Sequence, residues 1–156
     1  MRNYTQYLRF QPLRRDWVWA NAVRVGVAKG FAGQDLIPSE QFTAGGATTL
    51  RAFKQDRLTS PGNSLVILNT EMRVPLFWRF GGVGFLDIGN VYPTIKELNL
   101  FSERTGVDKA LFRYSPGLGL RIMTPFVLVR FDVGMNLFAR TGEPPRRYAF
   151  GIGQAF

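Results

Sequence analysis

The sequence predicts an all-β fold: an antiparallel transmembrane β-sheet, the C-terminal part of an outer-membrane type of β-barrel. Three observations carry the prediction. Strand-like segments alternate apolar and polar residues at period two, as a sheet with two unlike faces requires. No run of about 18 apolar residues exists, which excludes a transmembrane helix, whereas barrel strands need only roughly 9–11 residues with apolar groups at alternate positions. The chain closes on Tyr148-Ala149-Phe150-Gly151-Ile152-Gly153-Gln154-Ala155-Phe156. There Tyr148, Phe150, Ile152 and Phe156 share one face of a final strand, Ala149, Gly151, Gly153 and Ala155 share the other, and the terminal ring sits at lipid head-group level.

Taken in order, strand candidates at residues 4–13 and 17–28 are joined by the turn Arg14-Arg15-Asp16. A long connection, 29–62, leads to a strand at 63–76, which sets Val66, Leu68, Met72, Val74 and Leu76 against Asn69, Glu71 and Arg73. The turn around Trp78-Arg79-Phe80-Gly81 returns the chain into 82–92, and a second long connection, 93–111, follows. The strand 112–123 has Phe112, Tyr114, Pro116, Leu118, Leu120 and Ile122 on one parity and Arg113, Ser115, Gly117, Gly119, Arg121 and Met123 on the other. Past Thr124-Pro125, the strand 127–138 sets Val127, Val129, Phe131, Val133, Met135 and Leu137 against Arg130, Asp132, Gly134 and Asn136. Thr141-Gly142-Glu143-Pro144-Pro145 precedes the last strand, 147–156. Short joins at one end and long ones at the other are the asymmetry of a membrane barrel. No repeat, low-complexity tract or linker divides the chain, so residues 1–156 are read as a single domain.

Composition narrows the function classes. The net charge of +9, from 20 Lys plus Arg against 11 Asp plus Glu, would suggest nucleic acid in a soluble protein, but the arginines lie within strands rather than in a basic run. Cysteine and histidine are absent, which removes disulfides, thiol nucleophiles, His-based metal sites and a Ser-His-Asp triad. The expectation is therefore a protein that is not an enzyme, with no catalytic residues, cofactor or metal. Gly117-Leu118-Gly119 and Gly82-Val83-Gly84 lack the third glycine of a dinucleotide loop, and Glu97, Glu103 and Asp108 lack calcium-loop spacing. Met1-Arg2-Asn3-Tyr4-Thr5-Gln6 lacks the apolar core of a secretory signal, so an exported protein would have its true start upstream. A soluble sandwich or lipocalin-like barrel alternates as cleanly, with its apolar face inward. Aromatics at strand ends (Trp17, Trp19, Phe77, Trp78, Phe112, Phe156) and a Gly- and Arg-rich opposite face lean toward a membrane.

Three segments add a family. Residues 37–53, ending Thr48-Thr49-Leu50-Arg51-Ala52-Phe53, resemble the long loop of the BamA/TamA outer-membrane assembly factors, the bacterial surface antigen family, with Leu50-Arg51-Ala52-Phe53 at its Val/Ile-Arg-Gly-Phe/Tyr signature. Phe85-Leu86-Asp87-Ile88-Gly89 is similar to the family's Phe-x-Asp-x-Gly pattern, and Leu68-Asn69-Thr70-Glu71 precedes it with an inward-parity carboxylate. Tyr148, Phe150, Ile152, Gly153 and Phe156 resemble the C-terminal signal read by barrel assembly machinery.

The resemblance implies that the loop folds back into the barrel, with Arg51 meeting Glu71, Phe85, Asp87 and Gly89 on the inner wall. It implies an integral protein of the bacterial outer membrane that inserts or translocates other proteins. Its partners would be outer-membrane lipid, client outer-membrane proteins, and accessory lipoproteins or periplasmic modules, with no nucleic acid. The alternatives are a two-partner-secretion transporter of the same fold and, from a different class, a soluble basic β-barrel binding nucleic acid or a small ligand. In the family the last strand pairs weakly with the first at a seam that opens, and Gly151 and Gly153 would weaken it further. Two departures stand out. Ala52 replaces the family glycine, which strains the loop if that position needs a positive φ or close backbone packing. The periplasmic modules and earlier strands are missing, and about seven strands make an incomplete barrel, since closed ones start near eight. A charge test follows from the parity: Leu120→Arg on the lipid face is costly, while Gly119→Ser on the other is tolerated.

Overall fold

The computed structural model describes residues 1–30, 36–58, 60–93, 112–139 and 142–153. Among them, strands β1 (Arg2–Pro12), β2 (Val18–Ala28), β3 (Ser64–Phe77), β4 (Phe80–Tyr92), β5 (Arg113–Met123), β6 (Leu128–Met135) and β7 (Arg146–Ile152) form one antiparallel sheet. Their spatial order is their chain order, each strand pairing with the next. Tight turns at 13–17, 78–79 and 124–127 lie at one end, and at the other end the chain leaves and re-enters the sheet between β2 and β3, β4 and β5, and β6 and β7.

The faces of the sheet decide between membrane and soluble readings. On β5 and β6, Arg113, Ser115, Arg121, Arg130 and Asp132 are buried, while Leu118, Phe131, Val133 and Met135 are exposed. Leu118 is 71% exposed and Tyr148, on β7, is 77% exposed. A soluble sandwich buries the opposite set; a sheet that hides charge and displays apolar groups fits a hydrocarbon surround and a polar interior. Trp17, Trp19, Phe77, Trp78 and Phe126 are exposed around the tight-turn end, where they make an aromatic girdle. The Trp19 indole N–H donates to Thr70 Oγ1 at 2.8 Å, satisfying its polar edge on that outer wall.

β1 is the exception. Its faces are mixed: the register, with Arg9 opposite Asn21 and Tyr4 opposite Gly26, turns Asn3, Thr5, Tyr7, Arg9 and Gln11 to the outer side and Arg2, Tyr4, Gln6, Leu8 and Phe10 inward. Inner-face aromatic contacts hold it there: Tyr4 stacks on Phe42 at 6.4 Å between ring centroids, and the Arg73 guanidinium lies 5.5 Å from the Phe10 ring.

The apolar core lies between the inner face and the β2–β3 connection. Leu36, Phe42, Ala44, Leu50, Ala52, Phe53 and Leu58 of that connection pack on Ala28, Leu65, Ile67 and Val91 of the wall. Gly26 makes room for this, since a Cβ there would strike the Phe42 ring.

Two expected strands end early. The strand expected over 127–138 stops at Met135, where the Asn136 N–H turns to Pro145 O at 2.9 Å. The last strand stops at Ile152: Gly153 sits at φ +87 in a bend, with its N–H donating to Leu128 O at 2.7 Å. Gly153 thus makes a left-handed bend beyond the strand rather than a weak position within it. Phe156 lies outside the described residues, as do Glu97, Glu103 and Asp108. The tolerance expected of Gly119→Ser is also overturned. A Cβ at Gly119 would land on the ends of Asp132 and Arg121, which are locked to each other.

Candidate functional site: the buried arginine of the inner loop

The loop presents Arg51 through a compact local turn. Gly45 and Gly46, at φ +113 and +102, adopt a conformation that residues with a Cβ rarely take. The Gly46 N–H then reaches Leu50 O at 3.2 Å and Phe53 O at 3.1 Å, and the Phe53 N–H reaches Leu50 O at 3.1 Å. Thr49 Oγ1 accepts from the Gly45 N–H at 2.9 Å. With its own backbone closed on itself, the segment 46–53 sets the charged Arg51 side chain against the wall between the apolar anchors Leu50 and Phe53.

Arg51 is 1% exposed, as is Glu71, and Asp87 is 0% exposed. The guanidinium grips Asp87 with a two-pronged fork: Nε donates to Oδ2 at 2.9 Å and Nη2 to Oδ1 at 2.6 Å. The Arg51 backbone N–H adds a third bond to Oδ2 at 3.1 Å. Nη1 donates to Glu71 Oε1 at 2.5 Å, and Asp132 Oδ2 stands 3.8 Å from the same nitrogen. The guanidinium carbon lies 3.5 Å from the centroid of the Phe85 ring, a cation–π contact on the remaining face. Burial alone would lower the Arg51 pKa. The Asp87 hydrogen bond and the charges of Asp87, Glu71 and Asp132 outweigh it and hold the guanidinium above its ordinary value.

The carboxylates have their own supports. Arg73 Nε donates to Glu71 Oε2 at 2.8 Å, and Arg121 Nη1 donates to Asp132 Oδ1 at 2.5 Å. Asn69 Nδ2 donates to Asp87 Oδ1 at 2.8 Å and to Thr49 O at 2.6 Å, while its Oδ1 accepts from Arg24 Nη1 at 2.5 Å. The Asp87 and Glu71 carboxylates are thus each held from more than one side, and the cluster positions charge; among the described residues no group of His, Cys, Asp and Glu could hold a metal.

Of the residues expected around Arg51, the structure brings together Glu71, Phe85 and Asp87. Gly89 is not among its partners: it lies two residues further along β4, opposite Ile67, beneath the apolar core. Leu50 and Phe53 flank the arginine as buried anchors. Tyr148, Phe150 and Ile152 stand on the outer face, away from the site.

Ala52 proves unstrained in φ. The described non-glycine residues with positive φ are Arg15, Asp16, Asp56 and Trp78. Close packing at Ala52 is real, and Gly134 provides for it. The Ala52 N–H donates to Ser115 Oγ at 2.8 Å, and a Cβ on Gly134 would come within 2.8 Å of Ala52 N and 3.0 Å of the Arg51 carbonyl carbon. Backbone atoms on both sides leave little room to give. Gly134→Ala is expected to lift the loop tip and destabilise the fold by about 1–3 kcal/mol, read as a lowered unfolding midpoint in detergent with β6 still formed.

Asn69, Ser115, Asp132, Gly134 and Arg147 are the residues that sequence reading left out of the site. All share the inward parity; what the sequence lacks is the register that sets Asn69, Asp87 and Ser115 side by side on β3, β4 and β5.

The Omp85 superfamily domain model matches residues 2–156 of the chain. Outer envelope protein 39, chloroplastic, from Arabidopsis thaliana is 31% identical over 105 residues, a stretch that is 67% of this chain and 28% of that protein. The chain therefore spans well under two thirds of this relative's length. A match over nearly the whole sequence, on a sheet with its charge inside and an arginine-anchored inner loop, establishes that the chain belongs to the Omp85 superfamily and forms part of its outer-membrane β-barrel.

Proposed function

We propose that the protein inserts or translocates other proteins at an outer membrane, in the manner of the BamA/TamA assembly factors that its loop and Phe-x-Asp-x-Gly motifs resemble. By the same resemblance the membrane is a bacterial outer membrane, and the partners are client outer-membrane proteins, lipid and periplasmic or lipoprotein accessories. The carrying observation is the loop pinned inside the sheet by Arg51, Asp87 and Glu71. The reading involves no bond chemistry, as the resemblance implies. A long loop loses conformational freedom on entering a barrel, and several charge-assisted bonds at one residue offset that loss. The work is done at the sheet edge: a client strand adds to an opened seam by β-augmentation, each new backbone hydrogen bond replacing one lost from the seam.

Depletion of the full-length protein from source cells tests this. Loss of many outer-membrane barrel proteins, quantified by mass spectrometry of the outer-membrane fraction, is the expected result. Loss of one secreted protein alone would assign a two-partner-secretion transporter instead. An unchanged set of membrane and secreted proteins would overturn both.

A further inference from the structure

We propose that Arg147 is a positioning residue that latches the last strand to the inner loop. The three residues of the loop tip are shared out among five adjacent strands. Arg51 holds Glu71 on β3 and Asp87 on β4. Ala52 bonds Ser115 on β5 and lies against Gly134 on β6. Phe53 takes the end of the series: the Arg113 guanidinium of β5 lies 4.9 Å from its ring centroid, and its carbonyl accepts a hydrogen bond from Arg147 Nη1 on β7.

Local chemistry makes Arg147 the residue on β7 that can do this. Its register partner is Gly134, the glycine under the loop backbone, so the Arg147 side chain starts beside the tip. The other inward residues of β7, Ala149 and Gly151, have no donor to offer. The connection leading into β7 is tied to the same place, since Glu143 Oε2 accepts from Asn136 Nδ2 at 2.8 Å and pairs with Arg113 Nη2. A guanidinium held by a buried carbonyl is a charge-assisted bond of the stronger kind. Separation of β7 from β6 therefore also breaks or strains the bond to Phe53, and withdrawal of the loop loosens β7.

The latch itself stands on geometry; its bearing on seam opening rests on the function proposed above. Hydrogen–deuterium exchange on the full-length protein in detergent micelles tests the latch without any client assay, so failure of the functional reading leaves the result intact. Arg147→Gln is expected to speed exchange of the β7 amides on the order of tenfold, with β3 and β4 unchanged. Arg147→Lys, which keeps a cationic donor, should restore part of the protection. Gly134→Ala frees the tip by a separate route, and its combination with Arg147→Gln should exchange at β7 no faster than the quicker single variant. If Arg147→Gln does not fold, the Lys variant is read alone against wild type, with intermediate β7 exchange expected. Unchanged β7 exchange, equal acceleration across all strands, or additive effects in the double variant would each overturn the proposal.

Discussion

Replacing Arg51 by Ala is expected to destabilise the folded protein by about 3–5 kcal/mol, the cost of leaving buried carboxylates without their counter-charge. Burial fixes this magnitude. A wet ion pair is worth about 1 kcal/mol or less, but Arg51 and its partners Glu71 and Asp87 are each at most 1% exposed. Arg51→Lys should recover only a minor part of the loss, because a point ammonium cannot span Asp87 Oδ1 and Oδ2 while also reaching Glu71. Removing both the arginine and Asp87 should cost less than the sum of the single changes, since the second deletion takes away a charge that the first left stranded. Urea unfolding of the full-length protein in micelles measures all of these. A loss under 1 kcal/mol for Arg51→Ala would mean that the cluster is solvated in the working barrel.

The second large effect lies on the other face. Leu118 is at the middle of β5, with Gly84 and Val133 as its neighbours on the adjoining strands. Leu118→Arg should cost about 2–4 kcal/mol at the bilayer midplane. Leu120→Arg, closer to the aromatic girdle, should cost less, because the long side chain can reach the head groups. The depth dependence is the diagnostic part. Folding titrations in lipid vesicles that gave equal penalties at both sites, or none, would count against hydrocarbon on that face.

Much of this was legible in the sequence because a membrane sheet keeps its two faces chemically apart. The parity on β3, β5 and β6 predicted which side chains are buried, and the tight turns fell where Arg14-Arg15-Asp16 and Thr124-Pro125 predicted. Arg51, Glu71 and Asp87 could be paired because the loop motif and both strand carboxylates were visible one at a time. What stayed hidden depends on register and on contacts from outside a strand. β1 turns Asn3, Thr5, Arg9 and Gln11 outward, with Phe42 and Arg73 holding Tyr4 and Phe10 inside. Gly119 reads as an open position until Asp132 and Arg121 are seen to meet across it. The sharp bend at Gly153 comes from a backbone bond to Leu128 that no local pattern encodes.

The way the loop tip is distributed over the sheet has a consequence for the order of folding. Arg51 reaches partners 20 and 36 residues away, the Ala52 N–H reaches one 63 residues away, and the Phe53 carbonyl one 94 residues away. Contacts of rising sequence separation close late, because each needs a larger stretch of chain already in place. The tip can seat fully only after the strand carrying Arg147 has joined β6. Docking of the loop thus closes in stages: Arg51 can meet Glu71 and Asp87 once β3 and β4 are paired, and the bond from Arg147 to the Phe53 carbonyl is the last of the series to form.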